Sequence, residues 1–280
     1  MNFSKKFNFL MYLYVILFFV FLLTPLVVIS ILAFNNADYI GFPFKGFTFD
    51  WFFGNGKRIG VFNNNELLNS IYISIKTGLI VSFVSLIIGL FSALYFEKSN
   101  YKIKNFFYFL GISPLIIPGV ILGIAILAYT SEITLFLDNK EIFYFDDFLS
   151  PGFWLVIIGQ ISFISSYSML IIMAQLKKLD PTLEEAALSL KATKSEVLRY
   201  IIIPFLKPSL IKAFLAGFLL SFSNFNTTVF LVGSDPTLPI YLFSQVKYSL
   251  SPVVNAVSFL VIISITLVGI INFFIEIGKK

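Results

Sequence analysis

The side chains able to take part in chemistry stand in three places in this sequence. Two are clusters of amides and hydroxyls: Gln160, Ser162, Ser165, Ser166 and Ser168, then Ser221, Ser223, Asn224, Asn226, Thr227 and Thr228. The third is an acid-led segment that begins Asp180-Pro181-Thr182-Leu183-Glu184-Glu185-Ala186-Ala187. Amides and hydroxyls exchange hydrogen bonds, but without a neighbouring base they do not attack a substrate at neutral pH. Imidazole and thiolate are both missing, because the sequence has no His and no Cys, and the commonest zinc ligands go with them. A phosphate-cradling G-x-x-x-x-G-K-[ST] run is absent as well. The expectation is recognition through hydrogen bonds, with no catalytic residue, no metal ligand and no cofactor.

The elements that must position these groups follow from composition. Of 280 residues, 58% are hydrophobic and 12% charged, and the mean hydropathy is +0.91. A water-soluble core would leave much of this Phe, Ile and Leu exposed, whereas lipid accepts an apolar surface and requires only that backbone groups pair internally. Membrane lipid is therefore the expected surrounding, and helices the expected element. Six apolar stretches approach or exceed the ~20 residues needed to cross ~30 Å of hydrocarbon: Leu10–Phe34, Ile71–Phe96, Phe106–Tyr129, Phe153–Leu176, Leu210–Val232 and Val254–Ile277. The first is too long for a cleaved signal peptide and lacks its small-residue cleavage site. The expected fold class is all-α, a polytopic membrane protein with six transmembrane helices in a single domain, 1–280.

Of the 20 basic residues, 14 fall on one side of these spans, and only Lys45, Lys57, Arg58, Lys76, Lys140 and Lys247 fall on the other. Basic residues resist translocation, so the richer side, with both termini, is expected to be cytoplasmic. The net charge of +5 does not point to nucleic acid, because the basic residues punctuate apolar spans and do not share one solvated face. The loop Thr130–Gly152 sets Glu132, Asp138, Glu141, Asp146 and Asp147 against Lys140 alone, which suits simple solvation or an acidic outer face. The longer loop Asn35–Ser70 carries Trp51, Phe52 and Phe53, expected at the membrane interface.

Amides and hydroxyls at membrane depth serve either as glue between helices or as the lining of a polar path. Glue suits any single Ser or Thr, while Asn224 and Asn226 are read as path residues, joined by Thr227, Gln160 and Ser166 as candidates. No acid lies within a span except Glu276 at the end of the sixth.

The remaining segment, 177–207, has local signals for two helices. Asp180 is a cap, Pro181 suits the first helical position, and the acids favour a helix N-terminus. Thr193 and Glu196 have capping-box spacing, which predicts a second short helix from Lys194 to Ile202 that Pro204 ends or bends. Physical reasoning leaves two readings of this hairpin open: a rigid projection gripped by a soluble partner, or a polar connection that happens to be well capped.

The stretch from Glu185-Ala186-Ala187 through Ile203-Pro204 resembles the EAA signature of ABC importer permeases, whose pattern is EAA, three residues, Gly, nine residues, I-x-L-P. Glu185, Ala186, Ala187, Ile201 and Pro204 match it, while Lys191 replaces the Gly and Ile203 the Leu. Pro114-Leu115-Ile116-Ile117-Pro118-Gly119 resembles the family's PxxxPG element, and Leu238-Pro239 with Ser251-Pro252-Val253-Val254-Asn255-Ala256 is similar to the tail of the spermidine/putrescine permeases. The chain is identified on these motifs as a member of the MetI-like superfamily of binding-protein-dependent permeases, with its core over 69–277.

The resemblance implies that 177–207 is a coupling loop docking on an ATPase subunit, with Ala186 and Ala187 allowing close approach and Glu185 fixing the loop's shape. It further implies two ATP-binding subunits, a second permease subunit, an extracytoplasmic substrate-binding protein, and a place in a bacterial inner (plasma) membrane. The cargo implied is a polyamine or a related small organic solute, with another cargo such as a chelated metal as the alternative. A secondary transporter would need ionisable groups inside its spans, and a membrane enzyme would need His, Cys or paired acids at depth; the spans supply neither.

Overall fold

The computed structural model describes residues 5–99, 101–138, 146–249 and 251–277. Regular structure among them is helical, with one isolated antiparallel bridge between Asn35 and Phe47. The helices are α1 Lys5–Leu32, α2 Asp50–Phe53, α3 Asn65–Lys98, α4 Lys104–Ile112, α5 Gly119–Asp138, α6 Asp146–Leu149 and α7 Phe153–Leu176. They continue with α8 Pro181–Ser189, α9 Lys194–Val197, α10 Ile203–Phe222, α11 Thr228–Leu231, α12 Leu238–Ser244 and α13 Val253–Ile277. Five helical stretches among the described residues are long and apolar enough to cross a membrane: Phe7–Leu32, Asn65–Lys98, Gly119–Leu137, Phe153–Leu176 and Lys194–Phe222. The 25-residue α13 is apolar over Val253–Leu267.

Two of the expected spans are corrected. The third is not one helix from Phe106 to Tyr129: α4 gives way to a 3-10 turn at Ser113–Leu115 and an irregular stretch before α5 starts at Gly119. Pro114 and Pro118 supply no N–H, and Pro118 biases Ile117 away from helical backbone, so the ladder fails between them. The fifth expected span, Leu210–Val232, begins too late and ends too late. Lys194 to Phe222 is one helical run, which passes Pro204 by widening into a π-helix over Leu198–Ile202. That wider turn absorbs the missing donor, so Pro204 does not end the helix. The run then breaks over Ser223–Thr227.

The chain divides into two compact units, Met1–Leu68 with Leu242–Lys280, and Asn69–Tyr241. In the first, α1 is followed by a folded loop organised by Asn35. Its amide donates to the carbonyls of Gly41 and Pro43 (3.1 and 3.3 Å), and its Oδ1 accepts from the Lys45 N–H at 2.8 Å. Trp51 Nε1 donates to the Asn35 carbonyl at 2.8 Å, and the Arg58 guanidinium lies 4.7 Å from the Trp51 ring while pairing with Asp38 and Asp50. Trp51 and Phe52 are thus buried, against the expectation that they face the interface; Phe53 is exposed. Phe34 stacks on Phe47 at 4.8 Å and meets Phe49, Phe52 and Phe259 edge-on or tilted.

The second unit holds the two polar clusters and the hairpin. Its helices approach closely where side chains are small: a Cβ on Gly89 of α3 would meet Ser168 Cβ of α7 at 2.6 Å, and one on Gly217 of α10 would meet Ser82 Cα of α3 at 3.4 Å. Small residues at such crossings replace the hydrophobic drive that lipid removes. One core cluster, including Met169, Ile172, Leu176, Val197, Ile202, Leu206 and Ala213, continues from the packed spans into the hairpin, so the projection is seated on them. Thr130, expected to open a loop, lies inside α5, which reaches Asp138; Lys140 and Glu141 lie outside the described residues.

Candidate functional site

The hairpin has both caps that its sequence predicts. Asp180 Oδ1 accepts from the Thr182 N–H at 2.9 Å, and this bond, with a second contribution from the Thr182 hydroxyl, holds the Asp180 carboxyl below its ordinary value. The Thr193 hydroxyl accepts from Glu196 N at 3.3 Å while Glu196 Oε2 accepts from Thr193 N at 2.7 Å, closing the capping box in both directions.

Between these caps the chain turns through Lys191, whose φ of 66° makes it the one non-glycine residue at positive φ among the described residues. Ala192 N donates to the Ala187 carbonyl at 3.1 Å and Lys191 N to the Leu188 carbonyl at 3.0 Å. That pair of bonds is a Schellman motif, with Lys191 in the left-handed position that Gly usually fills. Ala187 and Ala192 pack together against the core cluster, supplying the apolar contact that accompanies the motif. The turn is therefore as tight as the Gly-bearing signature requires, although its residue is Lys.

The expected coupling residues divide by exposure. Ala187 and Ile201 pack against the core, whereas Glu185, Ala186, Lys191 and Pro204 face outward. Beside them Leu190 is 85% exposed, with Leu183 and Leu188 also exposed, so the projection presents leucines among its charged and polar residues. Glu184 forms an ion pair with Lys98 at the end of α3 and anchors α8 there. The sequence reading singled out Glu185 as the shaping acid; its carbonyl accepts from Ser189 Oγ at 2.9 Å, but the bridging carboxylate is that of Glu184. Nothing in the local pattern points to Lys98, 86 positions away.

The two polar clusters meet in one buried chain of hydrogen bonds. The Ser221 hydroxyl donates to Gln160 Oε1, Gln160 Nε2 donates to Thr228 Oγ1 at 2.8 Å, and the Thr228 hydroxyl donates to Asn224 Oδ1 at 2.9 Å. Gln160 is fully buried, and every polar atom of its amide that points across the helices finds an acceptor or donor on α10 or α11. Asn224 Oδ1 also accepts from Thr228 N at 3.2 Å, so this side chain bridges the break between α10 and α11. Sequence reasoning places Ser221 and Thr228 in the right cluster but does not select them as site residues; they lie on either side of the break between α10 and α11, and helical spacing gives no signal across it. Ser166 is buried elsewhere, donating to the Gly111 carbonyl at 2.5 Å. Thr227 is buried, and Asn226 is exposed.

The two interrupted helices touch at their interruptions. A Cβ on Gly119, the first residue of α5, would sit 3.1 Å from Asn226 Cβ and 3.1 Å from Thr227 Oγ1, and one on Gly123 would sit 2.7 Å from the Thr227 carbonyl oxygen. Backbone irregularity at membrane depth is tolerated where it is buried in protein or lines a water-filled path. Here Thr227 and Thr228 are on the protein-facing side and Ser223 and Asn226 on the exposed side.

Residues 85–277 match the family of binding-protein-dependent transport system inner membrane components. Among similar proteins is the putrescine transport system permease protein PotI of Escherichia coli K12, 25% identical over 259 residues, which covers 92% of this chain and 87% of that one. Another is the spermidine/putrescine transport system permease protein PotC of Haemophilus influenzae, 25% identical over 250 residues, 89% of each chain. In fold the chain is similar to a crystal structure of a bacterial ABC transporter involved in the import of the acidic polysaccharide alginate. The TM-score is 0.75 at 16% identity, covering 99% of this chain and 97% of that one.

Proposed function

The chain belongs to the family of binding-protein-dependent transport system inner membrane components, and from this premise we propose how it works as a multi-pass permease subunit of an ABC importer. Its fuel comes from elsewhere. We read the 177–207 hairpin as the part that two copies of a separate ATPase subunit grip, one on this chain and one on a second permease subunit, while an extracytoplasmic substrate-binding protein delivers cargo. The observation that carries this reading is the Schellman turn at Lys191 in the Gly position of the EAA signature, which lifts Glu185, Ala186 and the apolar Leu190 clear of the core. Small and apolar groups on a well-capped helix suit insertion into a groove.

We place the hairpin and both termini in the cytoplasm, on the Lys and Arg asymmetry. The cargo path on this subunit runs past the paired breaks, with Asn226 and Ser223 on the open side and Gln160, Asn224 and Thr228 bracing the helices behind them. The names of the relatives support a polyamine or related small organic solute as cargo. A different solute, including a chelated metal, is favoured by the breaks themselves, which carry amides and hydroxyls but no carboxylate to pair with a polycation.

Deleting the hairpin is a poor test, because its second arm is the start of the run that ends at Phe222. The absence of Cys permits a sharper one: Leu190→Cys labelled with a membrane-impermeant maleimide. Labelling in inverted vesicles and protection in intact cells is expected, as is loss of co-purifying ATPase subunit in Leu190→Asp with the chain still in the membrane. Labelling from outside intact cells overturns the assignment.

A further inference from the structure

The hairpin reaches the membrane helices by two routes. One is covalent: α9 runs on through the π-turn Leu198–Ile202 into α10. That route is soft near its start, because the widened turn is followed by Pro204 and Pro208, each of which withholds a donor from the helical ladder. The other route is the ion pair between Glu184, in the first turn of α8, and Lys98, in the last turn of α3. Each charge stands where its own helix favours it, the acid at an N-terminus and the cation at a C-terminus. The Glu184 side chain is only 18% exposed, so solvent screens this pair less than an open surface pair. No residue of α8 is fully buried; the packing of Ala187 and the Lys98 pair fasten it to the bundle.

The helix at the far side of this pair has none of α10's weak points. It contains no proline and runs unbroken from Asn65 to Lys98. It also meets α10 beyond the prolines: a Cβ on Gly78 would stand 3.0 Å from the Phe218 ring, and one on Gly217 would stand 3.4 Å from Ser82 Cα. Gly217 and Phe218 lie within the last two turns before α10 ends at Phe222. The ion pair thus bridges the soft segment, leading from the hairpin into α3 and, ~30 Å further at 1.5 Å per residue, into α10 beside its break. We infer that Lys98 is a positioning residue for the transport cycle: its pair with Glu184 makes α3 a second strut, so that the hairpin and α3 move as one body and the proline segment of α10 does not absorb the motion. This rests on the reading of the hairpin as the part an ATPase subunit grips.

The test is double electron–electron resonance on the full importer in nanodiscs, its other subunits freed of Cys, with spin labels on Ser195→Cys in α9 and Tyr72→Cys toward the outer end of α3. Both positions are exposed, and this chain has no Cys of its own. With Lys98 in place, the separation of the labels is expected to be the same in the nucleotide-free and the ADP-vanadate-trapped states. Lys98→Met, which keeps the apolar stem and removes the charge, should let it change between the states by about 2 Å or more, the scale of helix shifts in switching proteins. Lys98→Arg, which keeps the pair, should hold it constant. A constant separation in Lys98→Met overturns the inference, and so does a change that occurs already with Lys98 in place. Loss of co-purifying ATPase subunit from Lys98→Met overturns it too, by placing Lys98 in docking and not in transmission. Failure of the hairpin reading itself shows separately, as ATPase subunit retained by Leu190→Asp.

Discussion

Lys191 offers a measurement in which the backbone alone sets the answer. An L-residue in left-handed helical backbone costs about 1–2 kcal/mol, because Cβ approaches the following carbonyl oxygen, and Lys191 sits there at φ 66° with both Schellman bonds formed. Lys191→Gly removes Cβ and that cost, but it also frees the unfolded chain, which takes back about 0.4–1 kcal/mol. The net expectation is a gain of about 0.5–1 kcal/mol. Lys191→Ala keeps Cβ and should leave stability within about 0.3 kcal/mol of wild type, separating backbone strain from loss of the charge. Hydrogen exchange followed by mass spectrometry in detergent reads the gain locally, as roughly threefold slower exchange of the Lys191 and Ala192 amides. If Lys191→Gly and Lys191→Ala behave alike, or if Lys191→Gly speeds exchange, the strain argument is wrong.

The Gln160 chain and the Asp180 cap give two further outcomes. Gln160→Met keeps volume but removes two interhelical hydrogen bonds, which at about 0.6 kcal/mol each in a membrane protein predicts a loss near 1 kcal/mol. A double-mutant cycle with Thr228→Val should show coupling of about 0.6 kcal/mol, and additive effects in thermal unfolding would mean that the two side chains do not interact. For Asp180, the folded carboxyl titrates below its ordinary 3.8, so its stabilisation is fully present above that value and is lost as pH falls through the lower, folded one. Asp180→Asn caps without titrating, so protection of α8 relative to wild type should be flat from pH 7 to 5 and shift in favour of the variant only below about pH 3.8; a change already under way at pH 6 would contradict this.

What the sequence reveals here is what depends on neighbours in the chain. Asp180, Pro181, Thr193 and Glu196 announce the hairpin because caps act over three or four residues, and Lys191 marks its turn by occupying a Gly position. Pro204 misleads because a proline normally ends a helix, and nothing local signals that Leu198–Ile202 will widen to carry the helix past it. Trp51 and Phe52 mislead in the opposite sense: aromatics in an external loop suit an interface, but the Asn35 carbonyl and Arg58 hold Trp51 inward, and the rings of Phe34 and Phe259 pack on Phe52. The Ser221 to Asn224 chain and the Lys98 to Glu184 pair rest on contacts between remote segments. Hydropathy places the spans without specifying which polar atoms will face one another.

The helical run from Lys194 to Phe222 is 29 residues, or ~43 Å at 1.5 Å per residue. It begins beside the hairpin tip and ends where the backbone opens at Ser223. Its weak points, the widened turn with Pro204 and then Pro208, lie toward its start, so on the proposed reading of the hairpin the rest of the run serves as a pushrod that delivers movement to Ser223 as translation and rotation of the whole. The opening at Ser223 is then the joint at its far end, where that movement is converted into a change of local shape.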